Sequence, residues 1–191
     1  MKHYYMKHIF LCFCLFAGIN AFAADEINGI YYNLSESTAE VASAPTTGAY
    51  RGNIVIPATF TYDEVTYNVT SIGDNAFSGC KGITSITIPA SVTSFGKNAF
   101  SGCTGLTAIT IPAAVTSIGE KVFSGCTGLT SITIPASLTS IGNNAFYECK
   151  NLASLSVEAG NPTYSSTNNC NTIIETATNL LIAGCQNTVI P

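Results

Sequence analysis

Val115-Thr-Ser-Ile-Gly-Glu-Lys-Val-Phe-Ser-Gly-Cys-Thr-Gly-Leu-Thr-Ser-Ile-Thr-Ile-Pro-Ala-Ser137 decides the fold, because nearly the same residues precede it. Residues 92–114 and 115–137 agree at 17 of 23 positions. Outward from this stretch the signature recurs as Val69-Thr-Ser-Ile-Gly, Val92-Thr-Ser-Phe-Gly and Leu138-Thr-Ser-Ile-Gly, each 23 residues from the next. Phe77, Phe100, Phe123 and Phe146 keep that interval, and so do Cys80, Cys103, Cys126 and Cys149. Repetition this strict specifies a stack of like units, each resting on its neighbours.

Within a unit, Leu106-x-x-Ile109-x-Ile111-Pro112 sets Ile109 and Ile111 in alternation with Ala108 and Thr110, the two-residue rhythm of a half-buried strand. Pro112 ends that strand, since it has no N–H for a ladder. Val115 to Ile118 reads as a second extended piece, Gly119 as a turn, and Val122, Phe123 and Cys126 as core. A period of 23 lies in the range of leucine-rich repeats. The expected fold class is therefore an α/β repeat or mainly β: a leucine-rich-repeat solenoid of 23-residue coils with a β-rich N-terminal cap. A strand sheet lines one face, and turns or short helical pieces form the other. One coil alone fixes too much backbone for the apolar surface it buries, so the units must stack.

The ends depart from the period. Lys2, His3, Lys7 and His8 precede the apolar run Ile9–Phe22, and Ala21-Phe22-Ala23 supplies a cleavage site, so residues 1–23 read as a secretory signal peptide. The run is short for a membrane span, and no integral membrane segment is expected after cleavage. Residues 24–68 form the expected cap. In it Ile54-Val-Ile-Pro57 resembles Ile86-Thr-Ile-Pro89 from 32 residues upstream. Thr59–Tyr62 and Val65–Tyr67 flank Asp63-Glu64 as a hairpin. Gly29–Leu34 and Ala39–Ala42 read as further strands. Residues 69–160 hold four repeats. Residues 161–191 read as a divergent repeat with a hairpin insertion, Asn171–Ile174 against Leu180–Ile182. Two readings of this end stand open: an array that continues in a longer protein, or a hairpin that closes it.

Charged residues make up 9% of the chain and the net charge is −4. Beyond residue 23 five bases face eleven acids, a formal charge of −6, with no histidine or tryptophan. That balance argues against nucleic acid as a partner, which needs clustered Lys and Arg. Without histidine, Cys–His and Ser–His nucleophile schemes are excluded, and Asp74, Glu120 and Glu148 fall on turns of different repeats. Beyond residue 23 no Gly-rich phosphate loop and no close cysteine pair for zinc is present, so no enzyme activity, cofactor or metal is expected. The four repeat cysteines, Cys80, Cys103, Cys126 and Cys149, are expected as an inward ladder of free thiols. Cys170 and Cys185 are the candidate disulfide, across the terminal hairpin.

The full pattern Ile-x-x-Ile-x-Ile-Pro-x-x-Val-x-x-Ile/Phe-Gly-x-x-Ala/Val-Phe-x-x-Cys, over about residues 69–158, resembles the BspA-like leucine-rich repeat proteins of bacterial and protist cell surfaces. The flanks look like that family's divergent start and its Asn161-Pro-x-Tyr164 insertion. The resemblance implies surface-exposed binding to host or matrix proteins, or to other bacteria.

The expected function is a secreted or cell-surface binding or adhesion module, non-catalytic, recognising an extracellular protein or glycan. The alternative is a structural spacer array within a longer surface protein. The candidate ligand-binding face is the exposed strand rank Ser85, Thr87, Ala108, Thr110, Ser131, Thr133, Ser154 and Ser156, hydroxyl-rich and nearly uncharged. Such residues are also simply good β-surface formers. Tyr31, Tyr32, Tyr62 and Tyr67 in the cap are the aromatic alternatives as binding anchors, or cap core.

Overall fold

The computed structural model describes residues 24–166 and 172–184. The N-terminal part is an antiparallel meander of β1 (Asp25–Ile27), β2 (Ile30–Ser35) and β3 (Thr38–Val41). Next come β4 (Arg51–Val55), β5 (Thr59–Tyr62) and β6 (Val65–Ile72). β5 and β6 pair antiparallel, and their turn holds Asp63 and Glu64 at positive φ, 48° and 65°, as a two-residue hairpin turn requires. β3 then pairs parallel with β6, and the same sheet continues in parallel through β8 (Ser94–Phe95), β9 (Ser117–Ile118) and β11 (Ser140–Ile141).

A second row of strands carries the Ile-x-Ile-Pro segments. β4 pairs parallel with β7 (Gly82–Thr87), and β10 (Ser131–Ile134) with β12 (Ser154–Val157). The sequence suggested one sheet here; the row is instead interrupted. Thr107–Ile111 forms no regular strand and touches the row through a single bridge, Ala108 to Ser131. The Thr107 carbonyl takes both the N–H and the hydroxyl of Thr130, at 3.1 and 3.2 Å, so the segment is held on its β10 side. The alternation still holds, with Ile109 and Ile111 buried and Ala108 and Thr110 exposed. β13 (Tyr164–Ser165), β14 (Thr172–Glu175) and β15 (Leu180–Gly184) form an antiparallel sheet at the far end.

No helix occurs among the described residues, so of the two fold classes left open the mainly β one is found. The reason lies in the back turns. Phe77, Phe100 and Phe123 donate their N–H groups to the carbonyls of Ala99, Val122 and Ala145, at 2.7–2.9 Å. A helix would spend those donors within its own turn. Here they join neighbouring units, and so do the N–H groups of Gly79, Gly102 and Gly125, each at 2.7 Å. Each turn also needs two left-handed residues. Asn75, Asn98, Lys121 and Asn144 fill the first position at φ 52–57°, and Gly79, Gly102, Gly125 and Glu148 the second. Gly119 answers a different need, since a Cβ there would lie 2.5 Å from the carbonyl carbon of Gly96 in the neighbouring unit.

The core runs the length of the array. Phe77, Phe100, Phe123 and Phe146 stack with centroids 5.4–5.8 Å apart and interplanar angles of 10–17°. Tyr50 extends the column at 4.9 Å from Phe77. Its hydroxyl accepts the Tyr31 N–H at 3.0 Å and donates to the Ala42 carbonyl at 3.2 Å, fastening the meander to the stack. No helix of the described residues is long and apolar enough to cross a membrane.

Candidate binding face

The Ile-x-Ile-Pro strands position the face. Each isoleucine turns inward, Ile132 and Ile134 being almost fully buried, and that leaves the intervening Ser and Thr no course but outward. Ser85 and Thr87 on β7, Ala108 and Thr110, Ser131 and Thr133 on β10, and Ser154 on β12 are all exposed; Ser156 is half-buried. On β10 and β12 the register is Ser131 to Ser154 and Thr133 to Ser156, and the last two hydroxyls hydrogen-bond at 3.2 Å.

Two residues of this row escaped the sequence reading. Asn53 and Val55 on β4 pair with Ser85 and Thr87. The Asn53 side-chain amide oxygen accepts hydroxyl hydrogens from Thr84 and Ser85, at 2.9 and 3.0 Å. The signal was present in Ile54-Val-Ile-Pro57, whose Ile54 pairs with Ile86. A second exposed column lies on the other sheet. Thr93, Thr116 and Thr139 each donate a hydroxyl hydrogen to the carbonyl of the equivalent threonine, Thr70, Thr93 and Thr116, at 3.2–3.5 Å across 23 residues. These hydroxyls serve the stacking as well as the surface.

The acidic side chains do not assemble into a catalytic pair. Asp74 accepts the Lys97 N–H at 2.7 Å, Glu120 lies between the ammonium groups of Lys97 and Lys121 at 2.9 and 3.0 Å, and Glu148 meets Lys150 at 2.9 Å. The lysines hold the carboxyls of Glu120 and Glu148 below the usual carboxylate range. Among the described residues no three His, Cys, Asp or Glu side chains gather to hold a metal ion.

The repeat cysteines are free, with Cys80, Cys103 and Cys126 buried and Cys149 half-buried. The thiols of Cys103, Cys126 and Cys149 donate to the carbonyls of Phe77, Phe100 and Phe123 at 3.0–3.1 Å, each reaching from one unit to its neighbour. Burial pushes the Cys103 thiol up to about 12 and that of Cys149 to about 11, and raises Cys80 and Cys126 as well. These four repeat cysteines are therefore held as thiols at neutral pH. Cys170, Cys185 and residues 1–23 lie outside the described residues. Of the four tyrosines expected as anchors in residues 24–68, Tyr32 is buried against Phe60 at 4.6 Å, and Tyr67 stacks on the same ring at 5.6 Å. Tyr31 is half-buried, edge-on to Tyr50, and Tyr62 is half-buried.

The profile described as "BspA type Leucine rich repeat region" matches residues 58–175, in six copies. Among solved structures, a leucine-rich repeat protein from Bacteroides capillosus is 28% identical, with a TM-score of 0.61 over 72% of this chain and 100% of that one. Another from Bacteroides ovatus is 31% identical, with a TM-score of 0.52 over 73% of this chain; the match spans 41% of that longer protein. The pneumococcal vaccine antigen PcpA is 17% identical at a TM-score of 0.57, over 86% of this chain and 56% of PcpA, and shares the fold. No curated relative matches the chain.

Proposed function

The chain belongs to the BspA type leucine-rich repeat family, and from that premise we propose that it is a secreted or cell-surface binding module, without catalysis, recognising an extracellular protein or glycan. The observation that carries this reading is the in-register hydroxyl rank of Ser131, Thr133 and Ser154, exposed, with Ser156 half-buried beside them, on strands whose alternate residues pack on the core. With no charged side chain on these strands, recognition runs through hydrogen bonds and shape, with little dependence on salt. In this reading each 23-residue coil adds one rung to the face, and residues 24–68 close the array at the amino end. The basic start and apolar run of residues 1–23 support export.

The test is retention on an array of extracellular-matrix proteins and glycans. A folded chain should bind a limited set, and Thr133→Lys with Ser154→Lys should abolish that binding. Thr116→Lys, on the other sheet, should leave it intact. Silence across the array from a folded sample would replace this reading with the spacer. Equal loss in both variants would move the site off the strand face.

A further inference from the structure

β4 ends its sheet: it pairs with β7 on one side and, among the described residues, with no strand on the other. The Ile56 N–H donates to the Thr87 carbonyl at 3.0 Å, so strand alternation turns the N–H and C=O of Val55 away from β7, toward the open edge. Val55 itself is 67% exposed, the most exposed large apolar side chain among the described residues. Beside it lies a mostly apolar recess of about 180 Å³ lined by Ile27, Asn28, Ile30, Tyr32, Val55, Pro57 and Phe60. An unpaired edge next to an apolar recess is the arrangement that strand addition uses, the ladder giving affinity and the recess a place for an alternate side chain.

Charge selects the occupant. Residues 24–68 carry six acids, Asp25, Glu26, Glu36, Glu40, Asp63 and Glu64, against one base, Arg51. Glu26 adjoins Ile27 in the recess wall, and Asp63 and Glu64 form the turn of the hairpin that carries Phe60. The Arg51 side chain lies over Gly82, on the β7 side of its strand. A second copy of this chain is a poor match, because its own bases beyond residue 23 are single residues scattered over separate units. We propose that the outer edge of β4 and its recess take an extended basic peptide segment of another protein as an added strand, apolar side chains alternating with Lys or Arg. This edge adjoins the amino end of the hydroxyl rank, where Val55 pairs with Thr87, but the inference does not rest on that rank binding anything.

The probe is a fluorescein-labelled Lys-Val-Lys-Val-Lys-Val-Lys peptide, read by anisotropy against the full chain. Saturable binding is expected that weakens with added salt. It should vanish for the Glu-Val counterpart and for a peptide N-methylated at alternate amides. Val55→Pro, which removes an outward N–H and alters the recess wall while leaving the β7 ladder intact, should bind about tenfold more weakly at an unchanged melting temperature. Should that variant fail to fold, Val55→Lys tests the same edge by charge. Equal binding of the N-methylated or acidic peptide, or undiminished binding by both variants, overturns the proposal. So does a dimer dispersed by Val55→Lys in a chain that ignores the peptide, which would make a second copy the occupant.

Discussion

The phenolic oxygen of Tyr164 accepts the backbone N–H of Ile141 at 3.0 Å, tying the terminal sheet to the last strand of the long parallel sheet. Asn161 completes the fastening. Its amide donates to the carbonyls of Pro135 and Leu138 at 2.9 Å, and its oxygen accepts the N–H groups of Thr163 and Tyr164. Tyr164→Phe keeps the ring and leaves the Ile141 N–H without its acceptor. The expected cost is about 1–3 kcal/mol, read as a lower urea midpoint at unchanged slope.

Glu148 sits at φ 59°, where the equivalent positions in earlier units hold Gly79, Gly102 and Gly125. Glu148→Gly relieves about 1 kcal/mol of left-handed strain. The lost ion pair with Lys150 is exposed and offsets little of that. A melting temperature higher by about 2–4 °C is expected.

Stability should be flat at neutral pH and fall under alkali. Burial raises the thiol of Cys103 from 9.0 to about 12 and of Cys149 to about 11, and the phenols of Tyr32 and Tyr50 from 10.0 to about 12. The folded state therefore holds protons that the unfolded chain releases from about pH 9 upward, so unfolding gains as pH climbs toward 12. Denaturant midpoints from pH 7 to 11 check the sign. In parallel, Cys103 and Cys126 should resist iodoacetamide at pH 8 until denaturant is added.

Phe100→Ala removes the middle ring of a column whose neighbours lie 5.4 and 5.5 Å away, and also the edge-on partner of Phe95. Loss of about 3–5 kcal/mol is expected in chemical denaturation. Phe100→Leu should recover a part of it.

Much of this was legible because the repeat exposes its own constraints. Ile132 and Ile134 alternate with Ser131 and Thr133 in the sequence as they do between core and solvent. The helical alternative failed because sequence patterns do not say where Phe100 sends its N–H, and a turn that bonds to its neighbour looks apolar in the same places as a short helix. The break at Thr107–Ile111 was invisible for the same reason: its residue pattern matches that of β10, and only the backbone ladder differs. Asn53 and Val55 were missed because an insertion shifted their motif off the 23-residue period, although its Ile-x-Ile-Pro form survived. The left-handed turn positions carry Asn and Gly, a signal the sequence reading did not use, and Lys121 and Glu148 show that the fold imposes φ there whatever the residue.

The hydrogen bonds that leave every turn for its neighbour also set how the molecule meets force. They run along the stacking direction, on the long sheet and on the back turns, so tension applied at the two ends opposes them one rung at a time. Each rung that parts frees 23 residues, about 75 Å of slack, before the following rung is strained. A tethered chain of this kind gives way in steps, lengthening by peeling while the remaining rungs keep their faces intact.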